Sequence, residues 1–203
     1  MYRYFVKRIL DILISLLVLL ILWPVFIIVG ILIKKEDKGT VFYKQIRTGK
    51  NGKNFEMYKF RTMKECKRGD EMKKSHNERV TKIGQFLRKT SLDELPQFIN
   101  VLKGDMSFIG PRPWIVEYYE RFNSEQKKRV DVKPGIIGLA QEKGRNKLSI
   151  FEKIEYDLEY VNNLTFWMDL KILIESIRIV LRSEHAEILQ EDIKKELQQL
   201  EAQ

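Results

Sequence analysis

The longest apolar run in the chain lies close to its N-terminus. Nineteen of the 22 residues from Ile12 to Ile33 are hydrophobic, and none is charged. At about 1.5 Å per residue, a helix of this length reaches roughly 33 Å, which is enough to cross the hydrocarbon core of a bilayer. The pattern therefore predicts a membrane helix, and a single crossing is its simplest arrangement.

Two features favour a re-entrant hairpin in one leaflet over a single crossing. Basic residues flank both ends of the apolar run: Arg3, Lys7 and Arg8 before it, and Lys34, Lys35 and Lys38 after it. Because Lys and Arg mark the cytoplasmic side of a membrane segment, both ends are expected on that side. Pro24 removes a helical hydrogen bond, and a break there leaves arms of about 12 and 9 residues, each too short to cross. We predict a helix-break-helix hairpin over residues 1–35.

Beyond residue 35, we expect one cytoplasmic domain over residues 36–182, because no internal repeat or low-complexity linker divides it. Its class is α+β and mostly helical, because short amphipathic stretches outnumber the alternating ones. Residues 40–46 and 54–60 are rich in β-branched and aromatic side chains, and Asn51-Gly52 lies between them. This arrangement predicts a β-hairpin, the one small sheet that we expect.

Helical spacing and glycine positions predict the elements that follow the hairpin. Residues 80–87 resemble a short amphipathic helix, and a second helix begins near Ser91 and ends at Gly104, a residue suited to a left-handed cap. A longer helix is expected over residues 114–130. Prolines and glycines predict an irregular loop over residues 134–144, ordered by what it contacts or binds.

Two further helices are predicted near the C-terminus. From Phe166 to Leu181, apolar residues recur at helical spacing, which is typical of a core stripe and also of an amphipathic helix in a membrane interface. From Glu184 to Gln203 the chain carries six acidic and two basic residues, with leucines and Ile193 on one side. We interpret residues 183–203 as an acidic helix for a partner or for self-association.

The charge balance narrows the class of partner. Lys and Arg outnumber Asp and Glu by 37 to 28, which favours a polyanion: nucleic acid, anionic lipid or a phosphorylated substrate. The chain has one cysteine, Cys66, and two histidines, so a disulfide scaffold and a His/Cys zinc site are both excluded. Any metal ion would be bound by carboxylates.

The segment Ser91-Leu92-Asp93-Glu94 allows two interpretations. It has the form of a capping box, in which Ser91 caps a helix and Glu94 returns the bond. Adjacent carboxylates can also act on phosphate, one attacking phosphorus while the other helps to hold a divalent cation. The second interpretation gains support from basic residues beside glycines and prolines, where they suit phosphate binding: Lys59, Arg61, Arg112, Lys133 and Arg145.

Four motifs in this order resemble those of the bacterial sugar transferases, also called monotopic phosphoglycosyl transferases. They are Lys59-Phe60-Arg61-Thr62-Met63, Ser91 through Gln97, Gly104 through Pro113, and Lys133-Pro134-Gly135 through Gly144-Arg145-Asn146. The resemblance runs from about Lys7 to Arg182. It implies transfer of a sugar-1-phosphate from a UDP-sugar to polyprenyl (undecaprenyl) phosphate, releasing UMP, at the cytoplasmic face of the bacterial inner membrane.

The resemblance also implies roles for single residues. Asp93 is expected to be the nucleophile of a ping-pong reaction that forms a covalent phosphosugar intermediate, and Glu94 to bind Mg²⁺ beside it. Arg112 is expected to bind phosphate. The family match places further substrate-binding candidates at Lys59, Arg61, Gln141, Arg145 and Asp157, the last being either structural or in the active site. The membrane hairpin broken at Pro24 is a family feature too.

Two other classes of function compete with this enzyme. The basic run from Lys59 to Lys89 carries a local net charge of +7, with 11 basic and 4 acidic residues, as in a membrane-tethered protein that binds nucleic acid or anionic lipid. That class leaves the Asp93-Glu94 pair unexplained, so we expect no nucleic-acid partner. The acidic C-terminal helix would suit a non-catalytic assembly partner or a homo-oligomer.

Overall fold

The computed structural model describes residues 2–64, 79–144, 148–181 and 193–201. The fold is α+β and mostly helical, as predicted. The strands are β1 (Phe42–Thr48), β2 (Asn54–Phe60), β3 (Ser107–Ile109) and β4 (Gly135–Ile137). The helices are α1 (Lys7–Asp37), α2 (Lys82–Lys89), α3 (Gln97–Lys103), α4 (Val116–Arg121), α5 (Ser124–Lys127), α6 (Leu139–Lys143), α7 (Ile150–Asn162), α8 (Phe166–Leu181) and α9 (Ile193–Glu201).

The apolar N-terminal segment forms one helix, α1, that continues through Pro24. The division into two helical arms at Pro24 is therefore not seen in the secondary structure. Ser15 and Val29, both buried, are fourteen residues apart, which is close to four helical turns, so the two halves of α1 present the same side to the rest of the chain. Packing along this one side favours continued helix although proline removes a hydrogen bond.

Polar contacts hold the beginning of α1 to the body of the protein. The buried carboxylate of Asp169 on α8 accepts hydrogen bonds from Lys7 Nζ (2.7 Å) and from Tyr2 Oη (2.5 Å). Asp11 Oδ1 accepts from Ser107 Oγ at 3.0 Å, and Arg8 donates to two carbonyls at the C-terminal end of α3. A helix that carries a membrane-like sequence is thus fixed at its start by buried charges.

The other end of α1 is held to the same body. Glu36 accepts from the backbone N–H groups of Lys82 (2.7 Å) and Ile83 (3.0 Å), so it caps the first turn of α2. One apolar cluster joins the two helices to β2: Val29, Ile33, Phe60 and Leu87. The body therefore contacts both ends of α1.

The first sheet is the predicted hairpin. β1 and β2 pair antiparallel, from Phe42 opposite Phe60 to Thr48 opposite Asn54. Asn100 on α3 fastens this hairpin to the next helix, since its side chain accepts from the Tyr58 N–H at 2.9 Å and donates to the Glu56 carbonyl at 2.7 Å. α3 ends at Lys103, and the next residue, Gly104, takes the predicted left-handed conformation at φ 91°.

A second sheet occupies the region predicted as an irregular loop, so that prediction is wrong. β4 pairs in parallel with β3, and α6 follows it. The glycines there allow a close backbone crossing: a Cβ on Gly135 would lie 2.1 Å from the Gly110 nitrogen. The crossing matters for the site because it sets the chain direction just before Pro111, whose carbonyl accepts from the Gly135 N–H at 2.9 Å.

The helix predicted over residues 114–130 is also wrong as a single element. It is divided into α4, α5 and a 3₁₀ turn, Lys128–Val130. Asn123 starts α5 with a capping box shared with Gln126, and a side chain that satisfies backbone donors in this way favours a new helix start over continuation.

The last two helices show where the apolar stripe of residues 166–181 and the leucines of the acidic C-terminal segment pack. On α8, Ile172 is buried in the core, whereas Trp167, Ile174 and Ile177 are exposed, so the stripe serves the core on one side only. The described part of the acidic helix, α9, packs on its own chain: Leu197 and Leu200 join a cluster with α4 and α7. The sequence suggested that these leucines form a free surface for a partner or a second copy. In the structure they are packed against α4 and α7 of their own chain.

Candidate active site

The two adjacent carboxylates lie on a 3₁₀ turn, Leu92–Glu94. The residue before it, Ser91, adopts a left-handed conformation at φ 56°, and its side chain makes no capping bond. The capping-box interpretation of this segment is therefore wrong. A left-handed conformation at a residue other than glycine costs roughly 1–2 kcal/mol, and such residues cluster at functional sites. The turn directs Glu94 toward basic side chains instead of back to Ser91.

Glu94 is the centre of a charge cluster. Lys59 Nζ at the end of β2 donates to Glu94 Oε1 at 2.8 Å, and a guanidinium nitrogen of Arg112 donates to the same oxygen at 2.9 Å. The Glu94 side chain is 18% exposed. Burial alone would raise the pKa of Glu94, but Arg112 and Lys59 hold it well below its ordinary value. Glu94 is therefore ionised.

Asp93 has a different environment. Its carboxylate is mostly buried, and Lys59 Nζ lies 4.0 Å from Oδ2. Burial raises the pKa of Asp93 above its ordinary value, and the charge of Glu94 adds to this, while Lys59, Arg112 and Arg88 oppose it. A carboxylate with little water and no close ion pair keeps its electron pairs available for attack on phosphorus.

The structure adds one basic residue that the sequence reasoning missed. Arg88, in the last turn of α2, lies close enough to Asp93 to stabilise its charge, and its Nε donates to Thr62 Oγ1 at 2.9 Å. Lys89 occupies the same turn but is exposed. No local pattern separates these two cations, because the difference depends on where Thr62 and Asp93 lie in three dimensions.

Other predicted site residues have partners elsewhere. Arg61 pairs with Asp37 at 3.5 Å and donates to Thr40, so it connects the end of β2 to the last residue of α1 and to the segment that follows. The Gln141 amide on α6 contacts the Ile136 carbonyl at 3.4 Å. Lys133 lies beside Arg8. Its pKa is lowered mainly by burial and further by the like charge of Arg8. Arg145 lies outside the described residues.

Asp157 is in a buried ion pair. Its Oδ2 accepts from Arg129 Nε at 3.0 Å and from a terminal nitrogen of Arg129 at 2.5 Å, and both side chains are 2% exposed. The sequence left Asp157 as either a structural or an active-site residue. The structure favours the structural role, because a substrate phosphate cannot reach a carboxylate that is buried and paired with Arg129.

The carboxylate pair could hold a magnesium ion only together with water or substrate phosphates. Within residues 2–64, 79–144, 148–181 and 193–201, no group of three or more Asp, Glu, His or Cys side chains could hold a metal ion. Mg²⁺ usually takes one or two carboxylates and completes its shell with water and substrate phosphates. Lys59 and Arg112 both bind Oε1 of Glu94, so its other oxygen can turn to a cation beside Asp93.

Basic side chains gathered around two neighbouring carboxylates are the arrangement that an enzyme acting on phosphate esters would require. The model of the family described as bacterial sugar transferase matches residues 2–183. The chain belongs to this family.

Several relatives share most of this chain. It is 44% identical to the galactosyl transferase CpsE of Streptococcus agalactiae serotype III (strain NEM316) over 199 residues, which cover 89% of this chain and 44% of that protein. It is 42% identical to the uncharacterized sugar transferase EpsL of Bacillus subtilis (strain 168) over 178 residues, 88% of each. A UDP-glucose:undecaprenyl-phosphate glucose-1-phosphate transferase of Klebsiella pneumoniae is 44% identical over 177 residues, 82% of this chain and 38% of that protein. The chain thus spans less than half of two of these relatives.

Proposed function

We propose that the protein transfers a sugar-1-phosphate from a UDP-sugar to undecaprenyl phosphate and so initiates assembly of a bacterial glycoconjugate. The name of the Klebsiella pneumoniae relative supports this choice of donor and acceptor. The observation that carries the proposal is the contrast between two neighbouring carboxylates. Glu94 is held by two cations at 2.8 and 2.9 Å, whereas Asp93, whose side chain is 13% exposed, has Lys59 Nζ at 4.0 Å.

In the first half-reaction, an Asp93 oxygen attacks the β-phosphorus of the UDP-sugar. The new bond is a carboxyl phosphate that carries the sugar, and the bond from the β-phosphorus to the bridging oxygen breaks. UMP leaves with that electron pair. Lys59 and Arg112 stabilise the negative charge that collects on the phosphate oxygens, and preorganised donors of this kind typically contribute about 10²–10³ in rate each.

In the second half-reaction, a phosphate oxygen of undecaprenyl phosphate attacks the same phosphorus. The bond to Asp93 breaks, its carboxylate is restored, and the product is the undecaprenyl-diphosphate sugar. Splitting the transfer through a covalent intermediate lets two bulky phosphate esters use one basic pocket in turn. A magnesium ion held by Glu94 and Asp93 would neutralise charge on the bound phosphates.

The membrane placement that we propose is re-entrant: α1 stays helical through Pro24 but bends there in the membrane, so that both of its ends lie on the cytoplasmic face. Segment Tyr2–Asp37 is apolar and long enough to cross a bilayer, and only 11% of its most apolar window is buried against the body. A helix that crossed would place its ends on opposite faces. Both ends, however, contact one body, through Asp169 at the start and through α2 at the end.

The same placement accounts for other exposed apolar residues near the two ends of α1. Trp167 is 74% exposed on α8, beside the start of α1, and Phe86 is 54% exposed on α2, beside its end. Aromatic side chains of this kind favour the interface between headgroups and hydrocarbon. Interfacial contacts on both sides would hold the basic pocket at the level of the acceptor's phosphate.

The test is to incubate the purified protein with Mg²⁺ and a panel of UDP-sugars without acceptor, and to measure its intact mass. We expect a phosphosugar adduct on the wild type and none on Asp93→Asn. Asp105→Asn is the matched control, since this partly exposed aspartate contacts Asn100 and Lys103 and should leave the adduct unchanged. An adduct of equal yield on Asp93→Asn would contradict the assignment of the nucleophile.

A further inference from the structure

The segment Pro111–Trp114, which carries Arg112, is held by its carbonyl groups. Pro111 and Pro113 have no N–H to donate, so the segment cannot be fixed by a donor ladder of its own. Each of its four carbonyls instead accepts a hydrogen bond from a different donor, two of them on β1. The donors, in order, are the Gly135 N–H (2.9 Å), Arg129 (2.7 Å), Arg47 (3.4 Å) and the Thr48 N–H (3.0 Å).

The hydrogen bond to the carbonyl of Arg112 comes from Arg129, a buried cation. Arg129 is 3% exposed, and its fork bonds Asp157 with two nitrogens. The guanidinium carbon lies 4.5 Å from the centroid of the Trp114 ring. Ion pair and ring together fix the orientation of Arg129 from both sides, so the nitrogen that reaches Arg112 has little freedom to move.

We infer that Arg129 is a positioning residue for Arg112, oriented by Asp157. Through the backbone carbonyl, it sets where the Arg112 side chain begins and therefore where its guanidinium meets Glu94, at 2.9 Å. This inference rests on the proposed function of Glu94 and Arg112. It gives the buried pair a role beyond stability, because a misplacement of about 1 Å at a phosphate-binding group can cost roughly a hundredfold in rate.

The experiment compares single-turnover adduct formation from a UDP-sugar in Arg129→Lys and Asp157→Asn. Lysine keeps the charge of Arg129 but cannot bond Asp157 and the Arg112 carbonyl with one rigid fork. We expect kcat/KM for the first half-reaction to fall about ten- to a hundredfold in Arg129→Lys, and less in Asp157→Asn. The wild type serves as the check on the proposed function, since it must form the adduct before the variants can be compared.

A double-mutant cycle separates positioning from general stability. If Arg129 acts through Arg112, then Arg129→Lys should change kcat/KM less than about twofold in an Arg112→Gln background. Asp169→Asn is the matched control, because it makes the same isosteric change in another buried ion pair, the one with Lys7. It should lower the melting temperature without this loss of rate.

Two outcomes would overturn the inference while the wild type still forms its adduct. One is an Arg129→Lys effect that multiplies with that of Arg112→Gln, and the other is an equal loss of rate in Asp169→Asn. If Arg129→Lys and Asp157→Asn do not fold, the double-mutant cycle is repeated with Arg47→Gln and Arg112→Gln. Arg47 is half-buried and donates to the Pro113 carbonyl of the same segment. A smaller loss that disappears in the Arg112→Gln background is then expected, and a multiplicative loss contradicts the inference.

Discussion

Lys59 and Arg61 show how far two neighbouring cations can differ in role. Lys59 donates to Glu94, whereas Arg61 pairs with Asp37. We expect Lys59→Met to lower kcat/KM for adduct formation by about 10²-fold, because it removes a preorganised donor. Arg61→Met should instead lower the free energy of unfolding by about 1–3 kcal/mol, because it leaves a mostly buried carboxylate without its cation.

Single-turnover kinetics and urea unfolding of the same preparations check both expectations. Folded Arg61→Met should form the adduct within about threefold of the wild-type rate, since Asp37 and Thr40, which Arg61 contacts, lie outside the charge cluster. A hundredfold loss of rate in Arg61→Met with unchanged stability would contradict the separation of these two residues.

At the scale of residues, the sequence predicts part of the charge cluster around Asp93 and Glu94. Asp93 and Glu94 are neighbours in the chain, and the structure gathers Lys59 and Arg112 around them as expected. Asp157 has the same chemistry as a site carboxylate, but a partner 28 residues away removes it from solvent. Which charges pair with each other depends on tertiary distance, and residue type alone does not carry that information.

At the scale of elements, the close approach of β4 to the end of β3 is sensitive to a single methyl group. A Cβ on Gly135 would lie 2.1 Å from backbone, so Gly135→Ala must push the two strands apart and shift the Pro111 carbonyl with them. We expect a loss of more than about 3 kcal/mol in unfolding free energy, or no folded protein. Urea unfolding of both proteins in detergent measures this loss of unfolding free energy.

Gly30→Ala is the control for this substitution. Its Cβ would lie 3.5 Å from Val41, an ordinary contact, and alanine favours helix over glycine by about 1 kcal/mol. Stability should therefore stay the same or rise. If Gly135→Ala were as stable as Gly30→Ala, the close crossing would not be a constraint on this fold.

The alternating patterns predicted the hairpin well, whereas strands of three residues were not predicted. The predicted strand over 54–60 agrees with β2, and the predicted strand over 40–46 is displaced by two residues in β1. β3 and β4 have three residues each, too few for any period to show, and their pairing joins segments far apart in the chain. The glycines that looked like loop signals are required there for close approach.

At the scale of the whole molecule, α9 closes the side of the body formed by α4 and α7. Leu200 is 5% exposed in this cluster, and Glu196 accepts from Tyr118 Oη at 2.5 Å and lies 3.2 Å from Lys153 Nζ. Leu200→Ala should lower the free energy of unfolding by about 2–4 kcal/mol without changing the oligomeric state. Urea unfolding and light scattering test the two parts; a variant that dissociates an oligomer at unchanged monomer stability would favour the self-association interpretation.

The anchoring of both ends of α1 on one body makes a prediction about membrane topology. In a Cys66→Ser background, Arg3→Cys and Lys38→Cys each place one thiol at an exposed position on either side of α1. An impermeant maleimide should label both positions in inverted membrane vesicles and neither in sealed cells. The reason is geometric: the contacts of Lys7 with Asp169 and of Glu36 with α2 cannot coexist with ends on opposite faces.

Controls make each labelling outcome decisive. Asp105→Cys, on the body, reports the face on which the body lies, and Leu20→Cys, 73% exposed at the middle of α1, should resist the reagent in both preparations if it lies in hydrocarbon. Labelling of Arg3→Cys and Lys38→Cys from opposite faces would establish a crossing helix. The body could then hold only one end of α1, so the polar contacts at the other end would have to open in the membrane.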